Sequence, residues 1–208
     1  MRSLDKKLVR DFRRMWAQAL AIALMLASGV ATLVLAIGAL RSLEETRAAY
    51  YDRYRFADLF ANVTRAPAML IDRLSEIPGV AAVDGGIRKF GLLDIEGFRQ
   101  PATGLAISLP DFGEPGLNRL YLRTGRLPEI GRVDEVVVNE AFAKAHRFQP
   151  GATFKAIQNG RKRELTIVGI ALSPEFVYAL GPGDLMPDDS RFGILWMSRK
   201  GLAAIFDL

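Results

Sequence analysis

The feature that most constrains the fold is an uncharged, apolar stretch near the start of the chain, residues 17–40. As an α-helix rising about 1.5 Å per residue, such a stretch reaches roughly 36 Å, enough to cross a hydrocarbon core of about 30 Å. A buried helix of a soluble domain would show a polar stripe, and none is visible here. The stretch therefore predicts one transmembrane helix.

The positive charge of the chain lies beside this helix. Residues 1–16 carry six basic and two acidic side chains, whereas residues 17–208 carry 22 basic and 21 acidic ones. The positive-inside rule places such a basic flank in the cytoplasm and residues 41–208 outside, which in a bacterium means the inner membrane and the periplasm. Because the remainder lacks a concentrated basic patch, we expect no binding to nucleic acid.

A cleaved signal peptide is the main alternative for this region. Its apolar segment typically has about 7–15 residues before a small-residue cleavage site, and the run from Ala27 to Ala31 resembles such a site. The apolar stretch here is longer, and RSLEETRAAYYDRYR after it has the character of a continuing helix. We favour an uncleaved anchor embedded in the lipid bilayer.

The chain is divided on this basis into four parts. They are a basic cytoplasmic tail (1–16), a transmembrane helix (17–40), a helical stalk (41–55) and a periplasmic core domain (56–208). Trp16 suits the aromatic belt at the inner boundary, while Tyr50, Tyr51 and Tyr54 are assigned to the start of the folded domain. Small residues spaced by four, such as Ser28 and Thr32, permit close approach of another helix, although alanine is also simply common in membrane helices.

Residues 56–208 predict an α+β domain. FADLFANV (56–63) alternates like a strand, and Pro67 opens a helix that Pro78-Gly79 ends. With strand, turn and strand following in residues 80–97, this predicts a βαβ unit. A long connection over 110–133 comes next.

Further elements are predicted after that connection. Residues 135–148 predict a strand followed by an amphipathic helix, and residues 152–172 a β-hairpin turning at Asn159-Gly160. Residues 173–208 predict a loop, a strand and a last short helix.

Motifs for catalysis are missing from the sequence. It has no G-x-x-x-x-G-K-[ST] loop, no G-x-S-x-G elbow and no H-E-x-x-H pair, so the chain is not a self-contained P-loop ATPase. The absence of cysteine excludes a lipoprotein anchor, disulfides and thiolate metal sites. We expect no catalytic, cofactor or metal site, and no enzyme activity in this chain.

Several polar residues admit a functional and a structural interpretation. The single histidine, His146, is interpreted as a helix-end residue near backbone carbonyls rather than a catalytic base, since it has no recognisable partner. The acidic cluster of Asp184, Asp188 and Asp189, with Glu175 nearby, lacks EF-hand spacing and is interpreted as turn-forming. Ser173 before Pro174 is interpreted in the same way.

Several stretches together resemble one family. They are Phe56-Ala57-Asp58-Leu59-Phe60, the turn at 77–83, Gly125-Arg126-Leu127-Pro128, the run 134–143, Pro150-Gly151-Ala152, Ile167-Val168-Gly169-Ile170 and the stretch 173–178. Following a basic tail and a first membrane helix, they resemble the MacB–FtsX-type ABC-transporter permeases and their periplasmic core. In the GRLP bend, Gly125 and Pro128 shape the chain, and Arg126 is expected to pair with a carboxylate such as Glu129 or Glu135.

The resemblance implies a transport role. Members of the family pass the motions of a cytoplasmic ATPase dimer through membrane helices to periplasmic domains that handle lipids, lipoproteins, peptides or drugs. Here the first helix and its extension from Arg41 to Arg55, with Glu44, Glu45 and Arg47, would be the lever. The implied partners are a cytoplasmic ABC ATPase subunit and other transmembrane helices or permease protomers.

The sequence departs from the family in one respect. Such permeases have at least four membrane helices, and residues 41–208 contain no second long apolar stretch. We therefore expect either an N-terminal part of a longer permease or a subunit that needs partners. The alternative from another class is a membrane-tethered interaction or sensor domain without transport activity. A tethered hydrolase is disfavoured because no nucleophile and base can be named.

Overall fold

The computed structural model describes residues 3–100 and 102–208, so Arg2 of the basic tail lies outside the described residues. The helices are α1 (Ser3–Arg14), α2 (Trp16–Arg53), α3 (Met69–Ser75), α4 (Glu140–His146) and α5 (Arg199–Phe206), with a 3₁₀ turn at Pro174–Phe176. The strands are β1 (Arg88–Asp94), β2 (Ala102–Leu109), β3 (Tyr121–Gly125), β4 (Glu135–Asn139), β5 (Thr153–Gln158), β6 (Arg161–Leu172) and β7 (Phe192–Ser198). The chain divides into two compact units after Tyr50.

Helix α2 dominates the first unit. It runs without a break through the apolar stretch and on through the segment predicted as a stalk, and none of its residues is buried. It is the one helix in the described part of the chain that is long and apolar enough to cross a membrane. Ser28 donates its hydroxyl proton to the Met25 carbonyl and Thr32 to that of Ser28, both at 2.8 Å. These polar groups are thus satisfied inside the helix.

The second unit is built on seven strands in the order β3-β6-β4-β7-β2-β1-β5. The first half of β6 pairs with β5, and its second half pairs with β4 in parallel and with β3 in antiparallel. The pairings of β5, β1, β2, β7, β4 and β6 therefore form a closed ring. An irregularity beside Val168 in the β4–β6 pairing lies where β6 passes from one neighbour to the next, as expected because bulges bend strands.

Apolar side chains fill both faces of this sheet. On one face, α4 and α5 contribute Phe142, Leu202 and Ile205 to a core that includes Leu165, Ile167 and Met197. On the other face, β2, β4 and β7 bury a second cluster, and the connections before β3 and after β6 cover part of it. Two glycines allow close packing: a Cβ on Gly193 would meet the Phe142 ring at 3.0 Å, and one on Gly104 would meet Leu195 at 2.8 Å.

The predicted fold class is confirmed, since an apolar N-terminal helix precedes a mixed α+β domain. The hairpin turning at Asn159-Gly160 is confirmed, as are the strand and helix of 135–148 and the final helix. The helix after Pro67 is also present, although shorter than predicted. The single long connection predicted over residues 110–133 is wrong, because β3 (Tyr121–Gly125) divides it into two shorter segments.

The βαβ unit predicted over residues 56–97 is wrong. Residues 56–63 form no strand, and neither do residues 80–87; only β1 follows. The alternation in FADLFANV does not lead to pairing because the closed ring leaves few strand edges free, and Leu59 and Val63 stay exposed. The parallel pairings lie elsewhere: β4 pairs with β6, with α4 and β5 in between, and β2 pairs with β7.

Candidate coupling site at the end of the long helix

Helix α2 ends in a complete Schellman motif. The Phe56 amide donates to the Tyr51 carbonyl at 2.9 Å, and the Arg55 amide donates to the Asp52 carbonyl at 3.1 Å. Arg55 has φ of 50°, the left-handed conformation that this motif requires. The rings of Tyr51 and Phe56 stack with centroids 4.7 Å apart, which supplies the apolar contact that usually accompanies the motif.

The segment before β3 forms hydrogen bonds with this helix end. The amides of Asn118 and Arg119 donate to the carbonyls of Arg55 and Tyr54, at 2.9 and 2.8 Å. The side-chain oxygen of Asn118 accepts from the Ala57 amide at 3.0 Å, and Asn118 itself has φ of 49°. Asparagine tolerates this conformation better than most residues. One residue thus bonds the chain on both sides of the helix terminus.

Aromatic contacts extend the site. Tyr54 packs against Tyr121 of β3, with ring centroids 5.8 Å apart. Of the three tyrosines assigned to the start of the folded domain, Tyr51 and Tyr54 lie in the second compact unit, whereas Tyr50 is the last residue of the first, so its assignment is wrong. Phe56 packs against Phe60, and the Arg88 guanidinium lies 5.9 Å from the centre of the Phe60 ring. Residues 51–60, 118–121 and 88 therefore form one contact network, which we call the helix-end junction.

The GRLP bend continues from the junction. Gly125 ends β3 with φ of 81°, and a Cβ there would lie 2.2 Å from the Val168 carbonyl oxygen. Gly169 is its partner in the β3–β6 ladder, and a Cβ on Gly169 would lie 2.5 Å from the Arg126 carbonyl oxygen. The predicted bend is confirmed, and it requires a second glycine in β6 because the two backbones nearly touch.

Arg126 fixes the bend to β4. Its two terminal nitrogens donate to both carboxylate oxygens of Glu135, at 2.8 and 2.7 Å, while Glu129 lies farther away at 3.5 Å. The Glu129 amide also donates to Glu135, at 2.9 Å. Of the two carboxylates predicted for Arg126, Glu135 is the principal partner, since it makes the bidentate pair that suits a guanidinium best.

Glu135 has a strongly perturbed acidity. Its side chain is 7% exposed, which raises the pKa, but the Arg126 hydrogen bonds outweigh that effect. The Glu129 amide and the charges of Arg126 and Arg132 lower the pKa further, and it falls from 4.5 to about 2. The carboxylate is therefore ionised at all physiological pH values and acts as a fixed anchor for the bend.

His146 has a different environment from the one predicted. Its Nε2 lies 2.8 Å from the Ser190 carbonyl oxygen, outside its own helix, and not at the end carbonyls of α4. Its ring packs against Phe98, Phe142 and Phe148. The structural interpretation is thus retained, but the partner carbonyl belongs to the connection before β7, which helix-end reasoning does not reach.

The acidic side chains between residues 173 and 190 lie in turns. Asp188 accepts from the Ser190 amide and hydroxyl, at 3.0 and 2.6 Å, and the Ser190 bonds lower its pKa. Ser173 accepts from the Glu175 amide at 3.3 Å and caps the 3₁₀ turn, so its predicted turn role is confirmed. Among the described residues, no group of three acidic, histidine or cysteine side chains could hold a metal ion.

Two important residues escaped the sequence prediction. Arg88 binds both carboxylate oxygens of Glu175, one of them at 2.8 Å, and Asn139 accepts from the Ile194 amide at 2.9 Å. Asn139 is the asparagine of the EVVVNE run; it is buried and links the end of β4 to β7. Each contact joins residues more than 50 positions apart, so no local pattern identifies it.

Comparison with known proteins gives a similarity of structure only. No family profile and no curated protein sequence matches the chain. One similar structure is the periplasmic region of MacB from Actinobacillus actinomycetemcomitans, with a TM-score of 0.37, 18% identity, and coverage of 68% of this chain and 58% of that region. Another is the extracellular domain of the noncanonic ABC-type transporter YknZ from Gram-positive bacteria, with a TM-score of 0.42, 15% identity, and coverage of 74% and 75%.

Proposed function

We propose that this chain is a membrane-spanning permease component of a MacB/FtsX-type ABC transporter, coupling a cytoplasmic ATPase to its outer domain. The observation that carries the proposal is the unbroken course of α2 into the helix-end junction. A helix that ended in a flexible linker would transmit no motion to the domain that follows it. Here a Schellman motif, Asn118 and two aromatic contacts support direct transmission into β3.

In this proposal the chain itself carries out no catalysis. ATP hydrolysis belongs to a separate cytoplasmic subunit, and further membrane helices or permease protomers complete the translocation unit. The basic flank of α2 supports a cytoplasmic N-terminus in the bacterial inner membrane, with residues 41–208 in the periplasm. Motion of α2 then displaces β3 and the GRLP bend, because Tyr54 contacts β3 and the bend follows directly from that strand.

Purification from the native host tests the proposal. The full chain, tagged and expressed from its own locus, is isolated in mild detergent and assayed for vanadate-sensitive ATP hydrolysis, with mass spectrometry of the associated proteins. The matched control replaces residues 17–40 by a polyleucine span of equal length, which keeps an anchor but removes the specific helix face. We expect an ABC ATPase with the native chain and its loss with the control; recovery with neither, or equally with both, would overturn the proposal.

The orientation is tested by cysteine labelling. The chain has no native cysteine, so Ser3→Cys and Leu59→Cys each introduce a unique thiol. A membrane-impermeant maleimide added to intact cells after outer-membrane permeabilisation should label Leu59→Cys and leave Ser3→Cys unlabelled until lysis. The opposite pattern would reverse the topology.

A further inference from the structure

Exposed apolar side chains concentrate in one connection, the residues 173–191 between β6 and β7. Tyr178 is 78% exposed, Leu185 98% and Met186 77%, and Val177 and Leu180 are also more than half exposed. Single apolar residues on a surface are ordinary, but five within ten residues form a patch of the kind that marks interaction sites. We call residues 177–186 the apolar loop.

Polar contacts at both ends fix the conformation of the apolar loop. Arg88 binds Glu175 at its start, and the Asp188–Ser190 turn closes its end. Between them Ala179 and Gly181 are buried. An added Cβ on Gly181 would lie 2.4 Å from Asp184 Oδ2 and in ordinary contact, 3.5 Å, with the Phe192 Cβ. The small residues therefore face the domain while the large ones face solvent. A surface ordered in advance loses less entropy on binding.

The apolar character continues onto the sheet. Phe192 lies beneath the loop and packs against Phe90 of β1, with ring centroids 6.4 Å apart. Phe90 and Leu92 alternate on the outer side of β1 and are both exposed, and Leu92 pairs with Ile157 of β5. The loop thus adjoins further exposed apolar surface instead of standing alone.

The rim of the loop is acidic. Asp184, Asp188 and Asp189 lie in or directly after it, whereas the nearest cation in the sequence is Arg191; Glu175 is already paired with Arg88. A ligand with an apolar centre and basic flanks complements such a rim. Anionic lipid would be repelled by it, and two copies meeting loop to loop across a two-fold axis would bring like charges together.

We propose that the apolar loop docks a protein segment whose apolar side chains are flanked by lysine or arginine. Leu185, Met186 and Tyr178 provide the apolar anchors, and the aspartates select for the basic flanks. This docking surface is independent of the proposed transport function, because a tethered interaction domain would use it equally well.

Binding of defined peptides tests the chemistry of the proposed partner. The full chain is placed in nanodiscs of zwitterionic phosphatidylcholine and titrated with two amphipathic helical peptides of about 18 residues that share one leucine face. One peptide carries lysines on its polar face and the other glutamates. We expect the lysine peptide to bind at least about tenfold more tightly, with a preference that shrinks as salt increases. Equal binding of both peptides, or none, would overturn the proposal.

Three variants locate the binding site. Leu185→Ser/Met186→Ser should weaken binding of the lysine peptide by about tenfold or more, while Leu59→Ser/Val63→Ser, in another exposed apolar segment, should leave it unchanged. Asp189→Asn should reduce the preference for lysine over glutamate without abolishing binding. Equal losses from both double variants would place binding elsewhere and overturn the proposal.

Photo-crosslinking in intact cells identifies the natural occupant. A photoreactive residue at position 185 should give a cross-linked peptide, sequenced by mass spectrometry, in which apolar residues are flanked by lysine or arginine. The same residue at position 59 is the control. Crosslinks only to lipid, only to a second copy of the chain, or equally from both positions would overturn the proposal. An absent ATPase in the purification described above would instead overturn the transport function and leave this result standing.

Discussion

Two long connections of the outer domain use similar residues to opposite effect. The first, residues 110–134, and the second, residues 173–191, are both rich in glycine, proline and charge. The first turns its polar groups inward, onto the end of α2 through Asn118 and onto β4 through Arg126. The second uses its polar groups to brace itself and leaves its large apolar side chains in solvent. Composition alone therefore does not distinguish a structural clamp from an exposed surface.

The largest expected effect is that of Gly125→Ala in the first connection. Its Cβ would lie 2.2 Å from the Val168 carbonyl oxygen, at φ of 81°. The strain of the left-handed conformation and displacement of the β3–β6 backbone together should cost about 4 kcal/mol of unfolding free energy. Denaturation of the full chain in detergent, followed by Trp196 fluorescence in a Trp16→Phe background, measures it.

Gly183→Ala in the second connection is the matched control. Gly183 has a similar φ of 86°, but nothing lies within 4 Å of the added Cβ. Only the conformational strain remains, so the cost should be about 1 kcal/mol. Equal costs at the two positions would show that the close approach of β3 to β6 contributes nothing.

Arg126→Leu should have the next largest effect. It leaves the Glu135 carboxylate, 7% exposed, without its bidentate partner. The buried charge then keeps only the Glu129 amide and Arg132, 3.8 Å away, and we expect a loss of about 3 kcal/mol at pH 7. Arg88→Leu, which removes the corresponding pair in the second connection, should cost only about 1 kcal/mol because the Glu175 side chain it leaves is 14% exposed, against 7% for Glu135. A larger loss from Arg88→Leu would reverse the contrast between the two connections.

The same pair predicts a dependence of stability on pH. Because the pKa of Glu135 falls from 4.5 to about 2 on folding, its contribution is fully present above pH 4.5 and is lost as the pH falls toward 2. At about 1.4 kcal/mol for each unit of pKa, the fall corresponds to roughly 3.5 kcal/mol at most. Denaturation midpoints at pH 7, 5 and 3 should therefore fall less steeply in Glu135→Gln than in the parent chain. Parallel curves would contradict the anchoring role.

Asn118 offers a smaller and more specific test. Asn118→Ala removes the bond to the Ala57 amide and also strains the backbone at φ of 49°, so we expect a loss of about 2 kcal/mol. Asn118→Gly removes only the bond and should cost about 1 kcal/mol. Hydrogen exchange should report faster exchange at Ala57 and Phe56 in both variants. Unchanged exchange there would separate Asn118 from the helix-end junction.

The sequence predicts best what depends on neighbouring residues. The apolar stretch specifies α2, Asn159-Gly160 specifies the hairpin, and the GRLP motif limits the expected partner of Arg126 to Glu129 or Glu135. Each of these is decided within about 40 residues of chain. The helix, the hairpin and the carboxylates available to Arg126 could therefore be predicted before the fold was known.

Closure of the sheet and the far contacts could not be predicted in the same way. FADLFANV alternates like a strand, yet it pairs with no strand although β3 has a free edge, and alternation by itself does not reveal which segment will pair with an edge. Asn118 and Arg88 look like ordinary loop and strand residues. Their roles depend on Ala57 and Glu175, which are brought near only by the completed fold.

The smallest effect on stability should come from the apolar loop itself. Leu185 and Met186 are 98% and 77% exposed, so Leu185→Ser/Met186→Ser removes almost no packing and should change the unfolding free energy by less than about 0.5 kcal/mol. Ala179→Asp, one position from the exposed Tyr178, should cost about 2–3 kcal/mol because it places a charge in a buried site. If the serine variant were equally damaging, the loop would be part of the core, and its exposed side chains would have to be explained by folding instead of binding.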